Sequence, residues 1–212
     1  MVAENRPMLT LVVPCWGRPL STRRLLLDVV GQTVDRWEAL FVGDCCPLLD
    51  RLFDEPIVNA LISECEVRGN TIKKVQLDKN YGGFGYQAMN TGISLARGEF
   101  TIFAGNDDRL SPVHFQNYLY PVMKGDLDLV LFDSVIKGLG LRKSELKLGS
   151  VGHSEIIVRS SVAKRAPAHG PEYGHDWRFI LDLMSLTGRS AKDLRGVATY
   201  NVTRLKDDPP AD

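Results

Sequence analysis

Three observations in the sequence predict an α/β fold built on an open, mostly parallel sheet. Short apolar runs alternate with amphipathic stretches through the first half of the chain, the order expected of β-α-β units with right-handed crossovers. The first run, LTLVV at 9–13, is almost continuously apolar, as a strand covered on both faces must be. Pro14 and the pair Gly43-Asp44 end the first two runs, where strands should give way to turns.

The elements follow in order. After Pro14, Leu26, Leu27 and Val30 mark the apolar stripe of a helix over 20–30. WEALFV at 37–42 is the second strand. Asp54 reads as the N-cap of a second helix with Pro56 in its first turn, and Ile57, Val58, Leu61, Ile62 and Cys65 form its stripe. TIKKVQL at 71–77 is the third strand, Tyr86 to Ala96 the third helix and GEFTIFA at 98–104 the fourth strand. The second half is less regular and reads as α+β. LDLVLFD at 127–133, EIIVR at 155–159 and VATYNV at 197–202 are strand candidates. HDWRFILDLMSL at 175–186 is an amphipathic helix with Trp177, Ile180, Leu181 and Met184 assigned to one face.

With 212 residues, the chain is expected to form one domain, its last residues, 206–212, being a tail. Its 26 basic and 26 acidic residues cancel, which argues against a protein whose main task is to coat nucleic acid. The longest apolar stretch, MLTLVVPCW, is too short to span a bilayer, so no transmembrane segment is expected. The start, MVAENRPM, lacks a signal-peptide pattern, and the four cysteines lack zinc-ligand spacing. Free thiols in a reducing cytoplasm are the expectation.

Ligands of open α/β sheets bind beyond the carboxyl ends of the strands. Three such ends carry unusual residues: PCWGRP at 14–19 offers the Trp16 ring and the Arg18 cation, the second strand ends at Asp44, and the fourth at Gly105-Asn106-Asp107-Asp108. Together they could hold a base, its polar edge and a metal-bound diphosphate. Each also has a structural reading: Trp16 as a cap on the core, Asp44 as a turn residue, Asp107-Asp108 as a solvated turn. Convergence of all three makes the ligand reading the more specific one. The glycines of NYGGFGYQAMN at 80–90 fit neither a Walker loop nor a dinucleotide fingerprint, but they could let backbone approach phosphates or simply form a turn.

These segments, in this order, resemble family 2 glycosyltransferases of the GT-A fold. The resemblance rests on PCWGRP, FVGDCC, NYGGFGYQAMNTGISLARGEF and FAGNDDRLSP, covers residues 8–115 closely, and extends loosely to GHDWRFI at 174–180. It implies a nucleotide-sugar-binding half over about 8–115 and an acceptor and catalytic-base half over about 116–205. By the same resemblance, Pro14, Trp16, Arg18, Asp44, Asn106 and Asp108 would surround the nucleotide sugar. Asp107 would hold Mn2+ or Mg2+, and Asp176 would be the general base. His153, before the 155–159 strand, and His175, which adjoins the base, could each touch the diphosphate or that metal, with His153 the candidate second ligand and a structural role the alternative for both. Three positions depart from the family pattern: Gly43 and Gly105 replace acids, and Met89 replaces a common Arg.

The implied reaction is inverting transfer of one sugar, from a UDP-, GDP- or dTDP-linked donor, to a hydroxyl of a glycan, glycoprotein or glycolipid. A chain this short would work as a homodimer or beside partner domains. NYGGFG is similar to rhamnosyltransferase-like members. Two alternatives stand beside this. One is a sugar nucleotidyltransferase, although PCWGRPLSTRR poorly matches its Gly-rich basic signature. The other is a nucleotide-sugar- or glycan-binding protein with weakened catalysis, which Gly43, Gly105 and Met89 suggest.

Overall fold

Strand β1 (Leu9–Cys15) shows why its sequence is apolar throughout. Leu9, Leu11, Val13 and Cys15 pack into one core with Leu25, Leu26 and Val29, while Val12 packs into a second core with Met89, Ile93 and Phe103 on the opposite face. Two-sided burial removes the polar alternation of a half-exposed strand. The computed structural model describes residues 6–136, 140–145, 147–188, 190–191 and 200–202; the 206–212 tail lies outside them.

Helix α1 (Pro19–Val30) follows β1, and β2 (Trp37–Gly43), α2 (Pro47–Phe53), α3 (Pro56–Val67) and β3 (Thr71–Gln76) come next. The separate helix α2 was not expected. Its signal was present in Pro47 at the first helical position and in the buried Leu49, Leu52 and Phe53. Asp54 is therefore the C-cap of α2, and the extended Glu55 starts α3. Pro56 imposes this, since a residue before proline is pushed out of the helical region.

Helix α4 (Tyr86–Leu95), β4 (Phe100–Phe103), β5 (Asp108–Leu110) and α5 (His114–Gly125) complete the first half. Then come β6 (Leu129–Leu131), β7 (Ser134–Ile136), β8 (Gly140–Arg142), β9 (Ile156–Arg159), α6 (Ser160–Ala163), α7 (His175–Leu186), β10 (Ser190–Ala191) and β11 (Tyr200–Val202). Only the last three residues of the expected 197–202 strand are described, and they form β11.

Among the described residues the main sheet has the order β10-β6-β9-β4-β1-β2-β3. All its pairs are parallel except those of β9, which runs against β4 and β6. Helices α1, α2, α3 and α5 cover one face and α4 and α7 the other, so the α/β class with helices on both faces holds. The chain order reverses between β1 and β4, which puts the topological switch point at their carboxyl ends. Pro14 pairs with Val42 inside β1, yet it leaves no gap in the ladder, because β4 stops pairing at Val12–Phe103.

A second sheet, β5-β11-β7-β8, was not foreseen. Its strands are three residues long, too short for periodicity to register. Helix α7 has the expected bounds, and Trp177, Ile180 and Met184 of its expected face pack on the core, but Leu181 does not. Phe179, Ile180 and Leu183 are buried, whereas Leu181 is 45% exposed. Its apolar stripe is wide enough for two faces, and contact with Phe103 and His153 selects one.

Candidate functional site

A 550 Å³ pocket lies at the switch point, lined by Pro14, Trp16, Arg18 and Asp44, by Asn80 to Gly85 in part, and by Gly105 to Asp107. Three strand ends build it. At the end of β1, Gly17 and Arg18 take left-handed backbone angles, turning the chain sharply before Pro19 starts α1. Trp16 is left 39% exposed, on the pocket wall instead of in the core. At the end of β2 the Asp44 amide donates to Cys15 O at 3.0 Å, joining the two strand ends.

The buried Asp44 carboxylate accepts from the amides of Tyr81 and Gly82, each at 2.9 Å. It thereby holds the glycine-rich loop against the pocket. Gly82, Gly83, Phe84 and Gly85 all have positive φ, between 55° and 78°. Four such residues in succession explain the glycines, and Phe84 is carried among them with its ring 70% exposed.

The two missing acids have steric reasons. A Cβ on Gly43 would sit 2.8 Å from Cδ of Gln76, whose amide is bound to Cys46 N and O at 3.0 and 2.7 Å. A Cβ on Gly105 would lie 2.7 Å from Asp108 Oδ2 and 3.0 Å from Asp107 Oδ1. Two carboxylates therefore converge where an acid's own stem is expected, and their hard oxygens suit Mg2+ or Mn2+. Arg18 is ion-paired to Asp107, and Asp108 Oδ2 accepts from the Gly105 amide at 2.6 Å.

Asn106 is buried, and its amide donates to Thr22 Oγ1 at 3.0 Å and Gly17 O at 3.3 Å, locking the β1–α1 turn. Met89 is buried in the core beside α7 and does not reach the first pocket.

A second pocket of 410 Å³ adjoins the first, and Pro14, Phe84 and Gly105 line both. Its walls carry Asp108, Arg142, Gly152, His153, Glu155, Tyr173 and Asp176. Gly174, in the left-handed region at φ 83°, starts α7 and puts Asp176 in its first turn, where the helix dipole favours a carboxylate. Asp176 Oδ1 accepts from the Trp177 amide at 2.7 Å. Its Oδ2 lies 3.2 Å from where a Cβ on Gly152 would be, so a glycine there keeps the approach open.

Arg142 is ion-paired to Glu155, which is 1% exposed and also accepts from the Gly152 amide at 2.7 Å. Burial lowers the Arg142 pKa, while the nearby Asp176 and Asp108 carboxylates oppose that shift. Sequence reading missed this pair. Glu155 opens the 155–159 strand candidate, Arg142 lies in a stretch without periodicity, and no spacing links them. The rings of Phe84 and Tyr173, 5.7 Å apart and both strongly exposed, stand at the seam of the two pockets.

His153 lines the second pocket, not the one that holds Asp107. Its Nε2 lies 2.6 Å from His169 Nε2, and with His175 the three rings form one buried cluster. His153 and Asp107 thus line different, adjoining pockets. Burial pushes the His153 ring well below its usual value, and the other two histidines lower it further. Burial, reinforced by His175, brings His169 down to about 3; burial also lowers His175, against the fields of Asp176 and Glu172. Burial thus disfavours the charged form of all three rings.

The family model of glycosyl transferase family 2 matches residues 10–160. A curated Escherichia coli (strain K12) protein, WcaA, named as a colanic acid biosynthesis glycosyl transferase, is 27% identical over 116 residues, 55% of this chain and 38% of its own length. Among solved structures, S. aureus TarS 1-349 in complex with UDP-GlcNAc superposes with a TM-score of 0.70 at 20% identity, over 93% of this chain and 59% of that one. The mannosyltransferase PcManGT from Pyrobaculum calidifontis, in complex with GDP-Man and Mn2+, gives a TM-score of 0.64 at 13% identity, over 92% and 57%. The chain thus spans less than two thirds of the length of each of these relatives. The two structures share its fold, a GT-A glycosyltransferase architecture.

Proposed function

The chain belongs to glycosyl transferase family 2, and on that premise we propose that it moves one sugar from a nucleoside-diphosphate sugar to an acceptor hydroxyl, with inversion at the anomeric carbon. The observation that carries this reading is the pair of adjoining pockets sharing Pro14, Phe84 and Gly105. One is suited to a nucleotide, with an aromatic face, a carboxylate acceptor and an arginine; the other carries the Asp176 carboxylate on its wall. UDP, GDP and dTDP sugars are the donor candidates, and a glycan, glycoprotein or glycolipid hydroxyl is the acceptor.

In this mechanism Trp16 stacks on the base and Asp44 accepts from its polar edge, using lone pairs that the Tyr81 and Gly82 amides leave free. Arg18 turns from Asp107 toward the diphosphate. Asp107, with Asp108 beside it, would hold Mn2+ or Mg2+, which supplies positive charge to offset that developing on the leaving diphosphate. Asp176 accepts the proton of the acceptor hydroxyl as its oxygen attacks from the face opposite the leaving group. The exposed Phe84 and Tyr173 rings border the place where donor and acceptor meet, and offer the acceptor sugar an apolar face.

The test is Asp176→Asn. Transfer is expected to fall by about 10²- to 10⁴-fold, with nucleotide affinity within about twofold of the parent. Full transfer in that variant removes Asp176 as the base. The alternative of a binding protein with weakened catalysis draws on the Arg18–Asp107 pair, which neutralises the acid expected to hold the metal. Nucleotide binding without release of nucleoside diphosphate from any donor, with or without Mn2+, would favour it.

A further inference from the structure

We propose that His153, His169 and His175 form a binding site for one borderline-soft divalent metal ion, Zn2+ foremost, separate from the carboxylates of the first pocket. Among the described residues, these three alone bring metal-ligating atoms into such a group, one nitrogen from each lying within 4.8 Å of the others. They come from three segments: the turn before β9, the loop before α7, and the first residue of α7. Nothing in their spacing along the chain marks them, so only the fold assembles them.

One of the rings already has a partner that orients it. Asn90 Oδ1 accepts from both the amide and Nδ1 of His169, at 2.8 and 3.0 Å, and Asn90 Nδ2 donates back to His169 O at 3.0 Å. That bond fixes the proton on Nδ1 and leaves the Nε2 lone pair pointing at His153. Such an orienting partner is what a metal-ligating imidazole has. His175 Nδ1 is fully buried and has no hydrogen-bond partner, an unexplained polar atom at the margin of the cluster.

The donor chemistry selects the ion. Three imidazoles suit Zn2+ and its neighbours Co2+ and Ni2+, whereas the carboxylates by Gly105 suit Mg2+ or Mn2+. Ligation in tetrahedral geometry would open the Nε2 pair from 2.6 Å to about 3.3 Å, given Zn–N bonds of about 2.0–2.1 Å. An ion here would tie the start of α7 to the turn at Gly152, and so position Asp176 from behind without touching substrate.

The experiment uses the untagged chain, stripped with a chelator and titrated with Zn2+, Co2+ and Mg2+. Elemental analysis is expected to give about one Zn2+ per chain, which Mg2+ does not displace, and Co2+ is expected to give the intense visible bands of a tetrahedral site. His169→Ala should abolish binding, and Asn90→Ala should weaken it about 10- to 100-fold with an unchanged circular dichroism spectrum. Clearly substoichiometric Zn2+, Co2+ bands of an octahedral aquo-like ion, or full affinity in a folded His169→Ala variant would each overturn the proposal. Should His169→Ala not fold, the cobalt spectrum of the parent chain and the Asn90→Ala affinity decide.

Discussion

The two pockets meet at Pro14, Phe84 and Gly105 but are built in opposite ways. The first is made of turns that follow β1, β2, β3 and β4, four adjacent parallel strands, so the topology brings its residues together. Backbone geometry holds it: positive φ at Gly17, Arg18 and Gly82 to Gly85, and amides bound by Asp44. The second gathers residues from the β5, β8 and β9 regions and the start of α7, across both sheets and a strand that runs backwards. Buried side chains hold it, above all Arg142–Glu155 and the three histidines. The lesson is that a pocket shaped by backbone turns can lose ligand contacts and still stand. One shaped by buried polar pairs cannot lose a partner so easily.

The largest test of that contrast compares two arginines. Arg142→Ala strands Glu155, 1% exposed, without its cation, and is expected to cost about 3 kcal/mol in urea unfolding. Arg18→Ala breaks a pair whose side chains are 35% and 21% exposed, and is expected to cost under about 1 kcal/mol while weakening diphosphate binding. Equal losses of stability would break the comparison.

A middle-sized effect is expected from Asp44→Ala, which removes two charge-assisted bonds to the glycine loop. Stability should fall by about 2 kcal/mol, measured by thermal unfolding, and nucleotide affinity should fall with it. An unchanged affinity would mean that Asp44 serves the loop alone.

The smallest effect sharpens the comparison at the far end of the sheet. Buried Glu38 bridges Thr10 Oγ1, the Arg97 amide and the Arg97 guanidinium at 2.6–2.8 Å. Burial alone would raise its pKa, but those bonds outweigh it and hold the carboxyl below the ordinary glutamate value. Since the folded value lies below the unfolded one, Glu38 adds stability above about pH 4.5, and this is lost as pH falls through the folded value. Glu38→Gln should flatten that acid limb in unfolding measured from pH 6 to pH 3. An identical pH profile would remove Glu38 from the account.

The same contrast explains what could be read from sequence. Strands β1 to β4 with helices α1, α3 and α4, and the strand-end residues Trp16, Arg18, Asp44 and Asp107, were legible because local order and β-α-β topology determine them. Asp176 was legible only through resemblance, as its place depends on α7 crossing to the far face. Glu155, Arg142 and His169 were not legible, because their partners lie in remote segments and no period connects them. The three-residue strands of the second sheet escaped for want of length, and the Asp54 assignment failed because Pro56 moved the helix start to Glu55.

The central claim, that the first pocket takes a nucleoside diphosphate, is tested most directly by thermal unfolding with UDP, GDP and dTDP, each with and without Mn2+. One of them, at about 100 times its dissociation constant, is expected to stabilise the chain by about 2.7 kcal/mol. That shift should persist in Asp176→Asn and shrink in Trp16→Ala. No shift with any of the three, or a shift that Trp16→Ala leaves whole and Asp176→Asn abolishes, would contradict the account.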